Sequence, residues 1–206
     1  QRNTSKKKTW FGLGTLDDIN NQHYEDVKNL LNCAGKVSVC KDILSAKWMK
    51  LLVNTMSLGP FALLGLPVQE GLNTPGMRDL VLAIGDETMS LGHRLGYNIE
   101  PIMGLSEDVM TESNRLPEIL LDTLVEHIGP SARDCILQDM LKGRRTEIDM
   151  INGLVVEELY KFERVAPYNA AVMEVGNMIV SGQLSPKPEN INILKKIIRR
   201  KLDKVE

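Results

Sequence analysis

The pattern of apolar positions changes near residue 42. Before it, apolar and polar residues alternate in short runs. After it, apolar residues recur every three or four positions, the spacing of one helical face. Thr9-Trp10-Phe11-Gly12-Leu13-Gly14 reads as a short strand ended by glycines. Val27, Leu30 and Leu31 mark a helix over 26–33, with Ala34-Gly35 as its stop. Lys36-Val37-Ser38-Val39-Cys40 alternates and is rich in β-branched residues, a strand pattern. Strand, helix, strand is the order of one βαβ unit.

No strand pattern follows from Ser45 onward. Ser45 is expected to cap a helix that carries Trp48, Leu51, Leu52 and Met56 and breaks at Gly59-Pro60 and Gly65-Leu66-Pro67. Thr74-Pro75 opens a long helix with Met77, Leu80, Val81, Ile84, Thr88, Leu91 and Leu95 in one stripe, and Gly96 ends it. A short capped turn is expected over 106–110, and helices over 117–128 and 131–141. The next helix, over 147–165, is expected to be interrupted or bent near Gly153 and stopped by Pro167. Another follows over 168–180. After a linker at 185–188, an amphipathic helix over 190–205 turns Ile191, Leu194, Ile197, Ile198 and Leu202 inward and five basic residues from Lys195 to Lys201 outward. The fold class is therefore mainly α, a multi-helical domain behind a short β-α-β segment. The expected division is a disordered tail over 1–8, the β-α-β segment over 9–42, a helical domain over 43–183 and a linker with its helix over 184–206.

Composition narrows the function classes. Aromatics are 4% of the 206 residues and there are 10 Met, so the core is aliphatic. A net charge of -2 gives no broad electrostatic reason for nucleic-acid binding. The basic C-terminal face reads as the wet side of a packed helix, not as a lipid or nucleic-acid contact. No apolar run approaches the roughly 18–20 residues of a membrane span. Cys33, Cys40 and Cys135 form no CxxC pair, which argues against zinc and against a disulfide framework and suits a reducing, cytoplasmic compartment. His23, His93 and His127 lie far apart and read as surface or capping residues, so no metal is expected.

Two constellations carry candidate chemistry. Lys50 and Asn54 are four apart on one predicted helix face beside Trp48, Leu51, Leu52 and Val53. A lysine half-sunk in such a face is a candidate proton donor; the plain alternative is a lysine that reaches to solvent and an asparagine that caps a turn. In residues 135–153, Glu147 reads as a buried carboxylate facing a cleft, among Asp139, Arg144, Arg145 and Asp149. The plain alternative is a solvated salt-bridge face at a helix start near Thr146. Gly12-Leu13-Gly14 is not a phosphate loop: position 17 is Asp, where the dinucleotide fingerprint needs Gly or Ala.

Three segments resemble the ketopantoate reductase (2-dehydropantoate 2-reductase) family, chiefly its C-terminal helical domain. Trp48-Met49-Lys50-Leu51-Leu52-Val53-Asn54 is similar to the family's W-x-K-L-x-x-N. Leu137-Gln138-Asp139, then Arg145-Thr146-Glu147-Ile148-Asp149 and Ile151-Asn152-Gly153, follow the family's LQD and TEIDxING pattern. Ala166-Pro167-Tyr168-Asn169 resembles its V-P-x-N. The resemblance implies NADPH-dependent reduction of a ketopantoate-like 2-oxo acid, with Lys50 as proton donor and Glu147 at the cleft, touching substrate or cofactor. It also implies Asn54 as a substrate ligand, and it places Cys135 where the family carries a substrate-binding serine. Residues 9–42 then correspond to the end of a Rossmann domain, and the glycine fingerprint is expected ahead of residue 9. On that reading the chain supplies the substrate half and does not hold NADPH tightly alone. Family asparagines fall at Leu58 and Val68, which suits a more apolar substrate. The alternative function is a non-catalytic helical interaction or dimerisation module derived from such a reductase. A homodimer is the expected assembly.

Overall fold

The computed structural model describes residues 9–16, 22–111, 115–129 and 131–203. The expected tail over 1–8 and Asp17 lie outside them. Strand β1 (Thr9–Leu13), helix α1 (Gln22–Ala34) and strand β2 (Gly35–Val39) form the βαβ unit, with β1 parallel to β2 and Thr9 opposite Gly35. The Trp10 indole N–H donates to Ser38 Oγ at 2.8 Å across the two strands. The expected apolar face of α1 is not buried: Val27 is 44% exposed and Leu30 71%. A parallel sheet is ordinarily covered on both faces, so periodicity alone placed these side chains inside.

Among the described residues ten helices follow: α2 (Ile43–Ser57), α3 (Gly59–Leu64), α4 (Val68–Leu72), α5 (Met77–Arg94), α6 (Glu107–Thr111), α7 (Leu116–Ile128), α8 (Cys135–Leu141), α9 (Ile148–Lys161), α10 (Pro167–Val180) and α11 (Asn190–Leu202). Among the described residues there is no strand after β2, and no helix is long and apolar enough to cross a membrane.

Helix α2 is the central element, packed against α3, α5, α7 and α9. Its cap is Asp42 rather than Ser45. Asp42 Oδ1 accepts from the backbone N–H of Leu44 and Ser45, and Oδ2 accepts from the Ser45 hydroxyl. The Ser45 hydroxyl bond, then the backbone bonds, hold the Asp42 carboxyl below its ordinary value. Ser45 is freed to accept from Asn98 N–H at 2.9 Å, which ties the start of α2 to the loop after α5. The long stripe of α5 is buried as expected, apart from Leu95 at 37% exposure. The break expected at Gly59-Pro60 is instead the start of a further helix, α3, which ends at Gly65 in the left-handed region, φ 69°.

Helix α9 runs unbroken through Gly153, without the expected interruption. A Cβ on Gly153 would sit 3.2 Å from Met173 Sδ on α10, a close contact that the flexible methionine can relieve. On α11, Arg200 and Lys201 pair with Glu174 of α10 at 2.7 and 3.2 Å, while Lys195 Nζ donates to the Pro75 carbonyl. The basic face is thus the outer side of a packed helix.

Gly92 is the tightest helix contact. Trp48 stacks on Tyr97 with ring centroids 5.2 Å apart, and a Cβ on Gly92 would stand 2.1 Å from Trp48 Nε1. A stacked indole cannot give way as the tip of a methionine can. Gly92→Ala is expected to cost about 1–3 kcal/mol, read as a lower urea midpoint at unchanged slope.

Candidate functional site

Most of α2 is inside: Ser45, Ala46, Trp48, Met49, Leu52, Val53, Thr55, Met56 and Ser57 are buried. The row left facing outward is Ile43, Lys47, Lys50 and Asn54, at helical spacing. This row forms one wall of a cleft of about 430 Å³, a volume suited to a small molecule. Trp10, Phe11 and Gly12 of β1, Ile102 and Met103, and Leu124 and His127 of α7 form the rest. Met103 is held at φ 55°, unusual for a residue with a Cβ, next to Gly104 at φ 80°. Among the described residues the cleft therefore holds two lysines, one amide and one imidazole among apolar walls, and no carboxylate lines it.

Gly12 of β1 and Gly14 just after it serve packing. A Cβ on Gly12 would meet the Trp10 ring at 2.8 Å, and one on Gly14 would meet Ile43 Cβ at 2.7 Å. Their small size lets the strand end abut the start of α2.

Lys50 and Asn54 come together in this cleft as expected. Trp48, two residues before Lys50, points into the core instead. Glu147 does not read as buried: it is exposed at the residue before α9 and is not among the residues lining the cleft. The reason is the phase of α9, which turns Ile148, Ile151 and Asn152 inward and leaves Glu147 and Asp149 outside. Arg144 approaches Asp139 at 3.9 Å, so part of this charged segment is the solvated face of the plain reading. Cys135 also lies outside the cleft lining, at the start of α8. Burial first, then the charges of Asp134 and Glu147, push the Cys135 thiol up, so it stays protonated near neutral pH. Cys135, Asp134 and Glu147 thus share a neighbourhood apart from the Lys50 wall. Leu58 ends α2, half-buried, and Val68 is 2% exposed in the core; neither lines the cleft.

The remaining motif residues form a buried clasp. Asn152 Nδ2 donates to the Thr55 carbonyl at 3.2 Å and to Asn169 Oδ1 at 2.9 Å. Asn169 Nδ2 donates to the Ile84 carbonyl and to Glu87 Oε2, and the backbone N–H groups of Tyr168 and Asn169 donate to the same carboxylate. The Asn of TEIDxING and the Asn of P-x-N therefore bind α9 and α10 to α2 and α5, behind the cleft wall. Burial raises the Glu87 carboxyl to about 7 despite these donors. Burial likewise raises Asp134, whose Oδ1 caps α8, to about 7.

A raised folded-state value means the folded chain keeps a proton that the unfolded chain releases. The stabilisation from both groups is full below about pH 4 and is lost as pH rises through about 7. Stability from these two groups is therefore expected to fall between about pH 4 and 7. Asp134→Asn retains a capping oxygen and is expected to flatten the slope of the urea midpoint against pH over that range; an unchanged slope counts against burial as the cause.

Sequence reasoning missed Lys47 and His127. Lys47 was findable, one turn before Lys50 on the same face. No spacing links His127 to α2, because the contact exists only once α7 packs alongside.

A model of the family described as ketopantoate reductase PanE/ApbA C terminal matches residues 42–179. The 2-dehydropantoate 2-reductase of Pyrococcus horikoshii is 30% identical over 158 residues, 76% of this chain and 48% of the relative. That of Archaeoglobus fulgidus is 24% identical over 171 residues, covering 82% and 52%. The chain thus spans about half the length of the curated relatives it matches. Among solved structures, the PanE/ApbA family ketopantoate reductase of Ralstonia eutropha superposes with TM-score 0.68 at 19% identity, over 86% of this chain and 53% of that one. A D-mandelate dehydrogenase with NADH and anilino(oxo)acetate gives TM-score 0.69 at 19% identity, over 84% and 53%. These two share the fold. With its helical segment matched from Asp42 onward and its motif asparagines clasping the helices behind the cleft, the chain belongs to the ketopantoate reductase family, as the C-terminal helical domain of that fold.

Proposed function

We propose that this chain is the substrate half of an NADPH-dependent reductase that converts a 2-oxo acid of the ketopantoate kind to the 2-hydroxy acid, in a reducing cytoplasmic compartment. The observation that carries the reading is the placement of Lys50 and Asn54 on one wall of a single cleft with no carboxylate in its lining among the described residues. The nicotinamide, when bound, supplies the hydride to the keto carbon. Lys50 supplies the proton to the oxygen and stabilises the charge developing there, and then regains a proton from solvent. Asn54, one turn on, donates a hydrogen bond that orients the substrate. Trp10, Phe11 and Ile102 limit water around the reacting carbon.

Glu147 and Cys135 belong to a second neighbourhood in this reading. The Glu147 carboxylate, exposed at the start of α9, is suited to accept a hydrogen bond from a cofactor or substrate hydroxyl. The protonated Cys135 thiol is suited to donate weakly to substrate. Joining the chain to a nucleotide-binding domain of the family and following NADPH oxidation with a panel of 2-oxo acids tests the proposal. Turnover of a 2-oxo acid above that of the added domain alone supports it, and none with any acid removes it.

A second reading, the interaction module, is favoured by exposed apolar side chains in the last turn of α9 and just after it: Tyr160 at 78%, Phe162 at 39% and Val165 at 56%. Light scattering on the chain, with a nucleotide titration, separates the two. A stable homodimer that binds neither nucleotide nor 2-oxo acid favours the module.

A further inference from the structure

We propose that His127, together with Lys47, holds the carboxylate of the 2-oxo acid, with His127 acting from the wall opposite Lys50. The inference rests on the cleft being the substrate site. It adds two residues and an orientation that the family motifs do not contain.

The polar groups of the cleft are unevenly placed. Lys47, Lys50 and Asn54 all come from α2, and among the described residues the only side chain on the facing walls that can hydrogen-bond strongly is His127. The others there are Trp10, Phe11, Ile102, Met103 and Leu124, and the Trp10 N–H is already committed to Ser38. A ligand that spans the cleft and needs a polar contact on the far side meets His127. The ring is oriented for this: Nδ1 donates to the Thr123 carbonyl at 2.7 Å, one turn back on α7. That bond fixes the ring edge and leaves Nε2 as the nitrogen available to a ligand.

Helix direction places His127 at the Lys47 end of the row. The start of α7 lies beside the end of α2, since a Cβ on Gly85 would touch both Met56 Sδ and Pro117 Cβ. The last turn of α7 lines the cleft, so the helix runs back along α2 toward its N-terminal half. Lys47 and His127 then form the cationic end, Lys50 the middle and the neutral Asn54 the other end.

The chemistry of a 2-oxo acid matches that order. Its carboxylate is bonded directly to the keto carbon. With the keto oxygen at Lys50, the carboxylate lies one side chain away, at either Lys47 or Asn54. Two groups able to carry positive charge, among low-dielectric walls and with no competing carboxylate among the described lining residues, draw the anion to the Lys47 end. The tail of the substrate then runs toward Asn54 along apolar walls. The charged groups sharing the lining with His127 are Lys47 and Lys50; β1 and residues 102–103 present none, and on α7 the nearest carboxylates in sequence, Asp122 and Glu126, are exposed.

The test uses the chain itself with 2-oxoisovalerate and its uncharged methyl ester, followed by NMR of the imidazole protons. A carboxylate against the ring favours the imidazolium. The acid is expected to raise the His127 titration midpoint by about 0.5 pH unit or more, the ester to leave it in place, and His23 and His93, outside the cleft, not to respond. His127→Gln and Lys47→Met are each expected to weaken acid binding about fivefold or more while ester binding stays constant. Equal weakening of acid and ester overturns the proposal, because packing would then be what the variants lost. So does a midpoint that the acid does not move. If acid binding survives both variants but is lost in Lys50→Met, the cleft remains the substrate site and only this carboxylate assignment falls. If the unaltered chain binds neither compound, the carboxylate assignment and the substrate-half reading fall together.

Discussion

Lys50→Met, in a protein that joins this chain to a nucleotide-binding domain, is expected to lower kcat for 2-oxo acid reduction by about 10²–10⁴-fold, the ordinary contribution of a positioned general acid. The fold should not notice. Lys50 is exposed on the cleft wall, and among the described residues no carboxylate pairs with it, so its removal leaves no buried partner. The loss should fall mainly on kcat, since the proton is needed only as the oxygen gains charge. Lys50→Arg refines the test. A guanidinium keeps the charge but does not release a proton near neutral pH. If Arg restores little, proton donation is the larger contribution; if it restores most of the rate, charge stabilisation is. A Lys50→Met protein with near-normal kcat would remove Lys50 from the chemistry and leave the cleft as a binding site only.

Asn152→Ala is expected to be the most destabilising polar substitution, by about 2–5 kcal/mol. Asn152 is 0% exposed, and its amide nitrogen serves two acceptors, the Thr55 carbonyl and Asn169 Oδ1. Alanine leaves both buried and unpaired, at about 1–3 kcal/mol each, and opens a small void. Asn152→Asp isolates the hydrogen bonds from the packing. It keeps the shape but replaces the donor by an oxygen that faces two acceptors, so it should cost at least as much as alanine. Urea unfolding of the isolated chain measures both. A loss below about 0.5 kcal/mol for alanine would place Asn152 among ordinary surface positions and contradict the clasp. The effect on activity should follow from stability: the clasp fixes α9 and α10 against α2 and α5, and α2 carries Lys50.

These two residues show what the motif strings contain. Trp48-Met49-Lys50 and Asn54 read from sequence as one chemical unit, and the structure divides it. Trp48 packs on Tyr97 inside, while Lys50 and Asn54 face the cleft outside. The TEIDxING string divides likewise, with Asn152 in the clasp and Glu147 in solvent. A string of matched letters mixes residues that hold the fold with residues that meet the ligand. The phase of each helix separates them, and that phase is visible only where the whole apolar stripe is read.

The sequence by itself determined the mainly helical class, the βαβ start, most helix boundaries and the pairing of Lys50 with Asn54. All of these depend on contacts within a few residues: periodicity, caps, and glycine or proline stops act locally. It misjudged Ser45 as a cap because Asp42, three residues earlier, competes for the same backbone donors. Only the tertiary structure decided which wall faces Lys50, that Glu147 lies outside, that His127 joins the cleft, and that burial raises the Glu87 and Asp134 carboxyls to about 7. Each of those depends on groups far apart in the chain meeting in a space of low dielectric. Burial and opposition across a cleft are properties of packed helices, and no local spacing encodes them.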